Sequence, residues 1–171
     1  MGSSETIKER PNRIVYVDDD FDIRQIVRAS FEMEDDGKLV VATCGSGSEL
    51  ISRLRELQPN LILLDLHMPE MDGPDVIDAL RKNKDGEDVP IIFLTGDTKL
   101  VMEAHYKSLG VIGIIYKPFE PDQLLPEINK IWEKAYGPTD GDGGDGRVLS
   151  ELMDDEEAEV LSTEKVGERI N

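Results

Sequence analysis

Residues 61–73 read Leu-Ile-Leu-Leu-Asp-Leu-His-Met-Pro-Glu-Met-Asp-Gly, and this stretch decides the fold. Its first four residues are all apolar, which is typical of a strand buried on both faces of a parallel sheet. The carboxylate of Asp65 follows directly, and a charge there is costly unless it is paired, binds a metal or takes part in chemistry. A simpler alternative is that Asp65 only caps the turn before Pro69. The stretch therefore predicts a parallel α/β sheet with a candidate site at one strand end.

Short apolar runs and amphipathic segments alternate along the rest of the chain. The predicted strands are Ile14–Val17, Leu39–Thr43, Leu61–Leu64, Ile91–Leu94 and Val111–Tyr116. The predicted helices are a first helix with Ile23, Ile26, Val27 and Phe31 on its apolar face, then Ser46–Leu57, Pro74–Lys82, Lys99–Leu109 and Pro121–Tyr136. Because short connections join these β-α units, they predict one doubly wound α/β domain over about residues 12–136.

Composition limits the class of protein. A chain of 171 residues fits one domain with a remainder, and its net charge of −18 argues against nonspecific binding to nucleic acid or an anionic membrane. The single cysteine, Cys44, excludes an internal disulfide and fits a reducing compartment. No apolar run approaches the roughly 20 residues that span a bilayer, and the N-terminus lacks a signal-peptide pattern. We therefore expect a soluble cytoplasmic protein without membrane contact.

The two ends of the chain differ from its middle. Residues 1–11 are predicted to be an N-terminal extension. Residues 137–171 begin with a linker rich in glycine and aspartate, and they hold 11 acids and 3 bases, a net charge of −8. This composition predicts a mostly disordered acidic tail. The alternatives are a short helix with Leu149, Leu152 and Met153 on one side that folds on a partner, or the stub of a longer protein.

Polar side chains stand at the carboxyl ends of four predicted strands. Asp18 and Asp19 follow the first strand, Asp65 follows the third, Thr95 follows the fourth and Lys117 follows the fifth. If these strands are neighbours, their side chains converge on one shallow pocket. Three carboxylates as close together as this repel one another unless a divalent cation lies among them. A set of ligands made only of oxygen atoms suits Mg²⁺. The sequence thus predicts a magnesium site.

This set of groups supports phosphoryl chemistry. A carboxylate beside Mg²⁺ can attack a phosphorus atom and form an aspartyl phosphate, while the metal and a lysine neutralise charge on the phosphoryl oxygens. A threonine hydroxyl can donate a hydrogen bond to another of these oxygens. No histidine, serine or cysteine is placed to serve as an alternative nucleophile.

Four motifs in order resemble the receiver domain of two-component response regulators, the CheY-like family. They are Val-Asp-Asp at 17–19, Leu-Asp-Leu-His-Met-Pro-Glu-Met-Asp-Gly at 64–73, Leu-Thr-Gly at 94–96 and Tyr-Lys-Pro-Phe at 116–119. The resemblance covers residues 12–136, about three-quarters of the chain. It implies a flavodoxin-like fold, in which a five-stranded parallel sheet of order 2-1-3-4-5 is packed with five helices.

The resemblance also implies the roles of the acids. Asp65 is similar to the phosphoacceptor, and Asp19 to a direct ligand of Mg²⁺. Asp18 is similar to the acid that holds the metal through a water molecule, and the backbone carbonyl of His67 is similar to a third protein ligand. The His67 side chain borders the pocket, where it either modulates dephosphorylation or faces solvent without a catalytic role.

Thr95 resembles the hydroxyl that is drawn toward the phosphoryl group, and Lys117 resembles its ion-pair partner. The peptide bond between Lys117 and Pro118 is typically cis in the family. The chain departs from the family at Ile114, three residues before the lysine, where the switch aromatic usually lies. Coupling through a rotating ring is therefore not expected at Ile114, although Tyr106 and Tyr116 are nearby in sequence.

The implied function is a signalling switch rather than an enzyme. A histidine kinase or phosphotransfer protein would phosphorylate Asp65 with Mg²⁺ bound, and the chain would catalyse only this step and its slow reversal by hydrolysis. The new charge would bias a surface formed by the fourth helix, fifth strand and fifth helix. We expect output through contact with a downstream protein, no direct DNA binding, and scope for a homodimer that forms on phosphorylation.

Two alternatives keep the fold. The first is a Mg²⁺-dependent phosphatase of the haloacid dehalogenase type, which also uses an aspartate nucleophile and needs a second acid two residues after it in the loop that follows the first strand. Residues 18–20 offer a run of acids there. That class would turn over small phosphate esters, whereas a receiver takes up one phosphoryl group per chain. The second is an adaptor whose pocket is vestigial.

Overall fold

The structure of the chain, a computed structural model, describes residues 8–34, 37–97, 99 and 104–138. The strands are β1 (Arg13–Val17), β2 (Val40–Cys44), β3 (Leu61–Leu64), β4 (Ile91–Thr95) and β5 (Val111–Tyr116). The α-helices are α1 (Phe21–Glu34), α2 (Gly47–Leu57), α3 (Gly73–Arg81), α4 (Ala104–Ser108) and α5 (Leu124–Tyr136). The prediction of a disordered acidic tail falls almost entirely outside the described residues.

The five strands form one parallel sheet in the order β2-β1-β3-β4-β5, as predicted. In the register of the sheet, Val17 of β1 pairs with Leu64 of β3, and Leu64 pairs with Phe93 of β4. Strands β1 and β3 therefore end level at one edge, and β4 runs two residues further, to Thr95. The residues at these three strand ends lie at the same edge, which positions the candidate site.

Alternate residues of the strands supply two core layers. Val15, Val17, Ile62, Leu64 and Phe93 point into a layer with buried side chains of α2 and α3. The other layer holds the intervening strand residues together with buried side chains of α1 and α5: Ile14, Tyr16, Val27, Phe31, Leu61, Leu63, Ile92, Leu94, Ile115, Leu124, Ile128 and Trp132. A sheet covered on both faces explains why its strands read as continuous apolar runs.

Side-chain caps define where two of the helices begin. Ser46 precedes α2 and accepts a hydrogen bond from the Glu49 N–H at 3.1 Å, and Asp72 caps α3 by accepting from the Asp75 N–H at 3.1 Å. Pro74 lies in the first turn of α3, where its missing N–H leaves no hydrogen bond unmade. Local sequence therefore explains the entry into both helices.

Some predicted details were wrong. Ile26 is 48 % exposed rather than buried, because Val27 and Phe31 form the inner face of α1 and Ile26 is rotated about 100° from Val27. The helix predicted from Pro121 starts with a 3₁₀ turn over Pro121–Gln123, a common form of helix entry. Helix α4 is described only for Ala104–Ser108, and residues 100–103 of the predicted helix lie outside the described part.

Within the described residues, no helix has both the length and the apolar character needed to cross a membrane.

Candidate functional site

Backbone hydrogen bonds hold two of the three acids, Asp18 and Asp65, at one edge of the sheet. The Asp65 N–H donates to the carbonyl oxygen of Val17 at 2.9 Å, and the Asp18 N–H donates to that of Cys44 at 3.2 Å. Each of these two acids is therefore hydrogen-bonded to the neighbouring strand at the point where its own strand ends. One carboxylate oxygen each from Asp18, Asp19 and Asp65 lies within 4.8 Å of the others. The structure thus brings together the three acids that the sequence placed at strand ends.

Lys117 supplies the cation of this site. Its Nζ lies 2.5 Å from Oδ2 of Asp18 and 3.5 Å from Oδ2 of Asp65, and the side chain is only 17 % exposed. Its backbone N–H donates to the carbonyl oxygen of Thr95 at 2.8 Å, which joins the ends of β4 and β5. The Lys117–Pro118 peptide bond is cis, as the family resemblance predicted.

Asp18 and Asp19 have opposite surroundings. Asp18 is buried, its Oδ2 accepts hydrogen bonds from Tyr16 and Lys117, and its Oδ1 accepts from the Asp20 N–H at 2.8 Å. Asp19 is exposed to solvent. Protein donors thus occupy both oxygens of Asp18, whereas Asp19 presents its carboxylate to the pocket and solvent.

Asp65 is held in an environment that disfavours its charge. Burial raises the pKa of its carboxyl group and the charge of Asp18 raises it further, while Lys117 and the backbone N–H of His67 oppose the change. The ionised acids 18, 19 and 65 with Lys117 carry two net negative charges. A divalent cation would balance that excess, and a set of carboxylate oxygens is the donor set that Mg²⁺ prefers. The residues therefore fit the implied metal.

Thr95 ends β4 and is fully buried. Its Oγ1 accepts a hydrogen bond from the Asp97 N–H at 3.2 Å, so its partner among the described residues lies on its own loop rather than on Asp65. The His67 side chain is 69 % exposed and its Nε2 lies 3.4 Å from Oδ2 of Asp97, an exposure that fits both interpretations of this residue. The role of the His67 carbonyl as a metal ligand stays a prediction.

The position of the expected switch aromatic is aliphatic and only half-buried. Ile114 packs at the border of the core layer beneath α2 and α3. Tyr106 of α4 packs edge-on against Phe93, with ring centroids 5.3 Å apart and planes at 89°. Tyr116 is 43 % exposed. Position 114 itself is therefore aliphatic, and Tyr106 is the described aromatic that packs with Ile114 against the same core layer.

Sequence reasoning missed two residues of the site. Tyr16 was assigned only to an apolar strand, yet its hydroxyl donates to Asp18. The signal was present, because residues two apart in a strand share a face and Tyr16 lies two before Asp18. Asp97, which lies two residues after Thr95, was also overlooked. No sequence pattern pointed to its contact with His67, since the two belong to different loops.

Replacement of Asp65 by asparagine is expected to stabilise the metal-free protein. An acid whose pKa is raised by folding binds its proton more tightly in the native state, so its ionisation costs stability at neutral pH. The raised pKa means that the cost of burying this charge exceeds the attraction of Lys117, and each unit by which the pKa is raised is worth about 1.4 kcal/mol at neutral pH. The gain should shrink as the pH falls from the raised pKa toward about 3.9, the value of an unfolded aspartate.

Urea unfolding in a chelator, at several pH values from neutral downward, measures this difference. Asp78→Asn on the exposed face of α3 is the matched control and should change stability by less than about 0.5 kcal/mol. An Asp65→Asn protein that is less stable than wild type at neutral pH would contradict the account of the charge.

Comparison with known proteins agrees with this geometry. The family model described as "Response regulator receiver domain" matches residues 14–129. The chain is 32 % identical over 150 residues to "DNA-binding response regulator MtrA" of Mycobacterium tuberculosis, covering 88 % of this chain and 55 % of that protein. It is 34 % identical over 118 residues to "Response regulator SaeR" of Staphylococcus aureus, covering 69 % and 49 %. The chain spans about half the length of the curated relatives it matches.

Solved structures show the same architecture. The chemotaxis response regulator CheY4 of Vibrio cholerae superposes with a TM-score of 0.60 at 27 % identity, covering 72 % of this chain and 99 % of that one. A signal receiver domain from Vibrio parahaemolyticus gives a TM-score of 0.60 at 23 % identity, covering 74 % and 92 %, and supports the fold alone. The chain therefore belongs to the response regulator receiver domain family of two-component signalling.

Proposed function

We propose that this chain is a phosphorylation-activated switch in which Asp65 accepts a phosphoryl group from a histidine kinase or a phosphotransfer protein. The observation that carries the proposal is the buried Asp65 carboxylate, which shares one pocket with two further acids and Lys117. A structural turn cap needs none of these neighbours. An acid that only capped a turn would also gain nothing from burial beside another carboxylate.

The reaction makes one bond and breaks one. A carboxylate oxygen of Asp65 attacks the phosphorus atom, and the bond from phosphorus to the donor nitrogen breaks as the electron pair returns to the donor. Lys117 stands 3.5 Å from the Asp65 carboxylate, where its ammonium can bind a phosphoryl oxygen. The chain's catalysis is limited to this transfer and to slow hydrolysis of the product.

The acids would divide the binding of Mg²⁺ between them. Asp19 is exposed and can contact the metal directly, whereas the oxygens of Asp18 are taken by protein donors, which favours contact through a water molecule. Asp65 and the His67 carbonyl would complete the protein ligands. When bound, Mg²⁺ supplies neutralisation of charge on the phosphoryl group.

Two side chains would respond to the phosphoryl group. Lys117 would move from Asp18 to a phosphoryl oxygen, and Thr95 would turn its hydroxyl from the Asp97 N–H toward another. Because the Lys117 N–H is bonded to the Thr95 carbonyl, both changes act on the same pair of strand ends, β4 and β5. We propose that the surface of α4, β5 and α5 carries the output to a downstream protein, with a homodimer as one form of that contact.

The partners and location follow from the same proposal. The curated relatives include proteins named as DNA-binding, but the chain spans only about half of their length. The net charge of −18 disfavours binding of this chain to nucleic acid. We place the switch in the cytoplasm, where its kinase and Mg²⁺ are available.

Phosphorylation with a small donor tests the proposed function. Acetyl phosphate with Mg²⁺ should add the mass of one phosphoryl group to the wild-type chain, and none to Asp65→Asn. The exposed Asp78→Asn control should label as wild type does. Uptake by Asp65→Asn, or repeated turnover of a phosphate ester without a labelled chain, would contradict the switch and favour the phosphatase.

A further inference from the structure

Tyr16 is a buried tyrosine that the reaction described above does not use. It lies in β1 with no exposed surface, in the core layer that packs against α1 and α5. Its neighbours there include Val27 and Phe31 of α1. Phenylalanine would fill such an apolar place without the cost of burying a hydroxyl group, so the hydroxyl calls for a partner.

That partner is the buried acid of the phosphoacceptor site. The Tyr16 hydroxyl donates to Oδ2 of Asp18, the same oxygen that accepts from Nζ of Lys117. The Asp20 N–H occupies Oδ1 at 2.8 Å, so three donors surround a carboxylate that is 1 % exposed. Tyr16 and Lys117 therefore share one acceptor atom.

This sharing matters when Lys117 moves. Lys117 is the ion-pair partner of Asp18, and a metal held through a water molecule, as proposed above, would not replace this direct contact, so its loss is unfavourable. The Tyr16 hydroxyl stays on Oδ2 after Lys117 has left. An oxygen with two donors also holds each of them less tightly than an oxygen with one. Both effects lower the barrier to moving Lys117 from Asp18 to a phosphoryl oxygen on Asp65.

We propose that Tyr16 is a positioning residue that holds Oδ2 of Asp18 and so releases Lys117 to the phosphoryl group. The proposal rests on the proposed function of Asp65. It gives a buried side chain of β1 an indirect role in the phosphorylation reaction. Tyr16 does not touch the reacting atoms, and it acts only through Asp18 and Lys117.

Tyr16→Phe removes the hydroxyl and keeps the ring. At saturating Mg²⁺, its rate of phosphorylation by acetyl phosphate should fall about tenfold, which equals a barrier change of about 1.4 kcal/mol. Tyr136→Phe, which removes the hydroxyl of a half-buried tyrosine at the last residue of α5, is the control and should keep the wild-type rate. Circular dichroism and urea unfolding establish that both variants are folded.

A double-mutant cycle separates positioning from packing. In an Asp18→Asn background, the carboxylate charge that Tyr16 holds is gone, so Tyr16→Phe should lower the rate by less than about twofold. An equal loss in both backgrounds would show that Tyr16 acts by another route and would overturn the proposal. A Tyr16→Phe rate within twofold of wild type would overturn it as well.

A metal-free measurement tests the shared oxygen without any phosphorylation. In a chelator, Tyr16→Phe should shift the ¹⁵N resonance of the Lys117 ammonium and slow the exchange of its protons, because Asp18 then holds Lys117 more tightly. Tyr136→Phe should leave both unchanged. In wild type, the Tyr16 hydroxyl proton should be protected from exchange and should shift in Asp18→Asn, a readout that does not depend on how Tyr16→Phe folds.

The two arms distinguish failure of this inference from failure of the proposed function. If wild type takes no phosphoryl group, the proposed function is wrong and the release of Lys117 falls with it, while the Lys117 resonance still reports whether Tyr16 and Lys117 share Asp18. If wild type is labelled on Asp65 but the Lys117 resonance is the same in Tyr16→Phe as in wild type, the proposed function is retained and the inference about Tyr16 is overturned.

Discussion

Replacement of Lys117 by methionine is expected to slow phosphorylation of Asp65 by at least about a hundredfold, the effect of removing one preorganised charge from a reacting centre. Lys117 contacts both Asp18 and Asp65. Methionine keeps most of the volume of the stem but supplies no cation for the phosphoryl oxygens. Loss of the ammonium also removes a positive charge that competes with the metal for the same carboxylates. Affinity for Mg²⁺ should therefore rise in this variant while the rate falls.

The opposite signs of these two effects make the test specific. Isothermal titration calorimetry gives the Mg²⁺ dissociation constant, and intact-mass measurement with acetyl phosphate gives the rate at saturating metal. Lys134→Met on the exposed side of α5 is the matched control and should change neither quantity. Weaker Mg²⁺ binding by Lys117→Met, or a rate within fivefold of wild type, would contradict the assigned role.

Replacement of Arg81 by alanine should lower the free energy of unfolding by about 3 kcal/mol, the value of several hydrogen bonds from a charged donor. Arg81 ends α3, and its guanidinium donates to four backbone carbonyl oxygens. The acceptors are Leu109 at 2.7 Å, Gly86 at 2.7 Å, Glu87 at 3.1 Å and Val89 at 3.0 Å. Through these hydrogen bonds, one side chain holds both the loop before β4 and the turn before β5 in place.

Lysine is a poor substitute at this position. Its single ammonium cannot reproduce the planar fork of the guanidinium, so Arg81→Lys should lose about 2 kcal/mol. Arg55→Ala on the exposed face of α2 is the control, with an expected change below about 0.5 kcal/mol. Denaturant unfolding followed by circular dichroism measures all three variants. An Arg81→Ala protein as stable as the control variant would show that these hydrogen bonds add nothing net.

Gly110 keeps the turn before β5 compatible with this contact. Its φ is +82°, and an added Cβ would lie 2.6 Å from Nη2 of Arg81. Any other residue would therefore strain the backbone and displace the guanidinium.

The candidate site was the most predictable part of the molecule. An apolar run followed by a charge marks a strand and its carboxyl end, and parallel strands bring these ends to one edge. The acids 18, 19 and 65 and Lys117 could thus be placed together from sequence alone. The buried strands β1, β3 and β4 are apolar runs that stand out in the sequence, whereas β2, which is largely half-buried or exposed, was indicated by its β-branched residues.

The remaining features depend on contacts between distant segments. Tyr16 looked like one more apolar strand residue, and only the packed structure shows which atom its hydroxyl reaches. The role of Arg81 depends on loops that are not adjacent to it in sequence. At the N-terminus, Arg10 binds Glu133 at 2.8 Å and Lys8 lies over the ring of Tyr136, contacts that no local pattern indicates.

The central claim is that the carboxylate of Asp65 is the phosphoryl acceptor. Borohydride reduces an acyl phosphate to the alcohol, so a phosphorylated aspartate becomes homoserine, which peptide mass spectrometry can locate. After treatment with acetyl phosphate and Mg²⁺, homoserine should appear at position 65 and should be absent when donor or metal is withheld. Homoserine at position 18 or 19 in place of 65, or stable phosphate on a serine or threonine, would contradict the account.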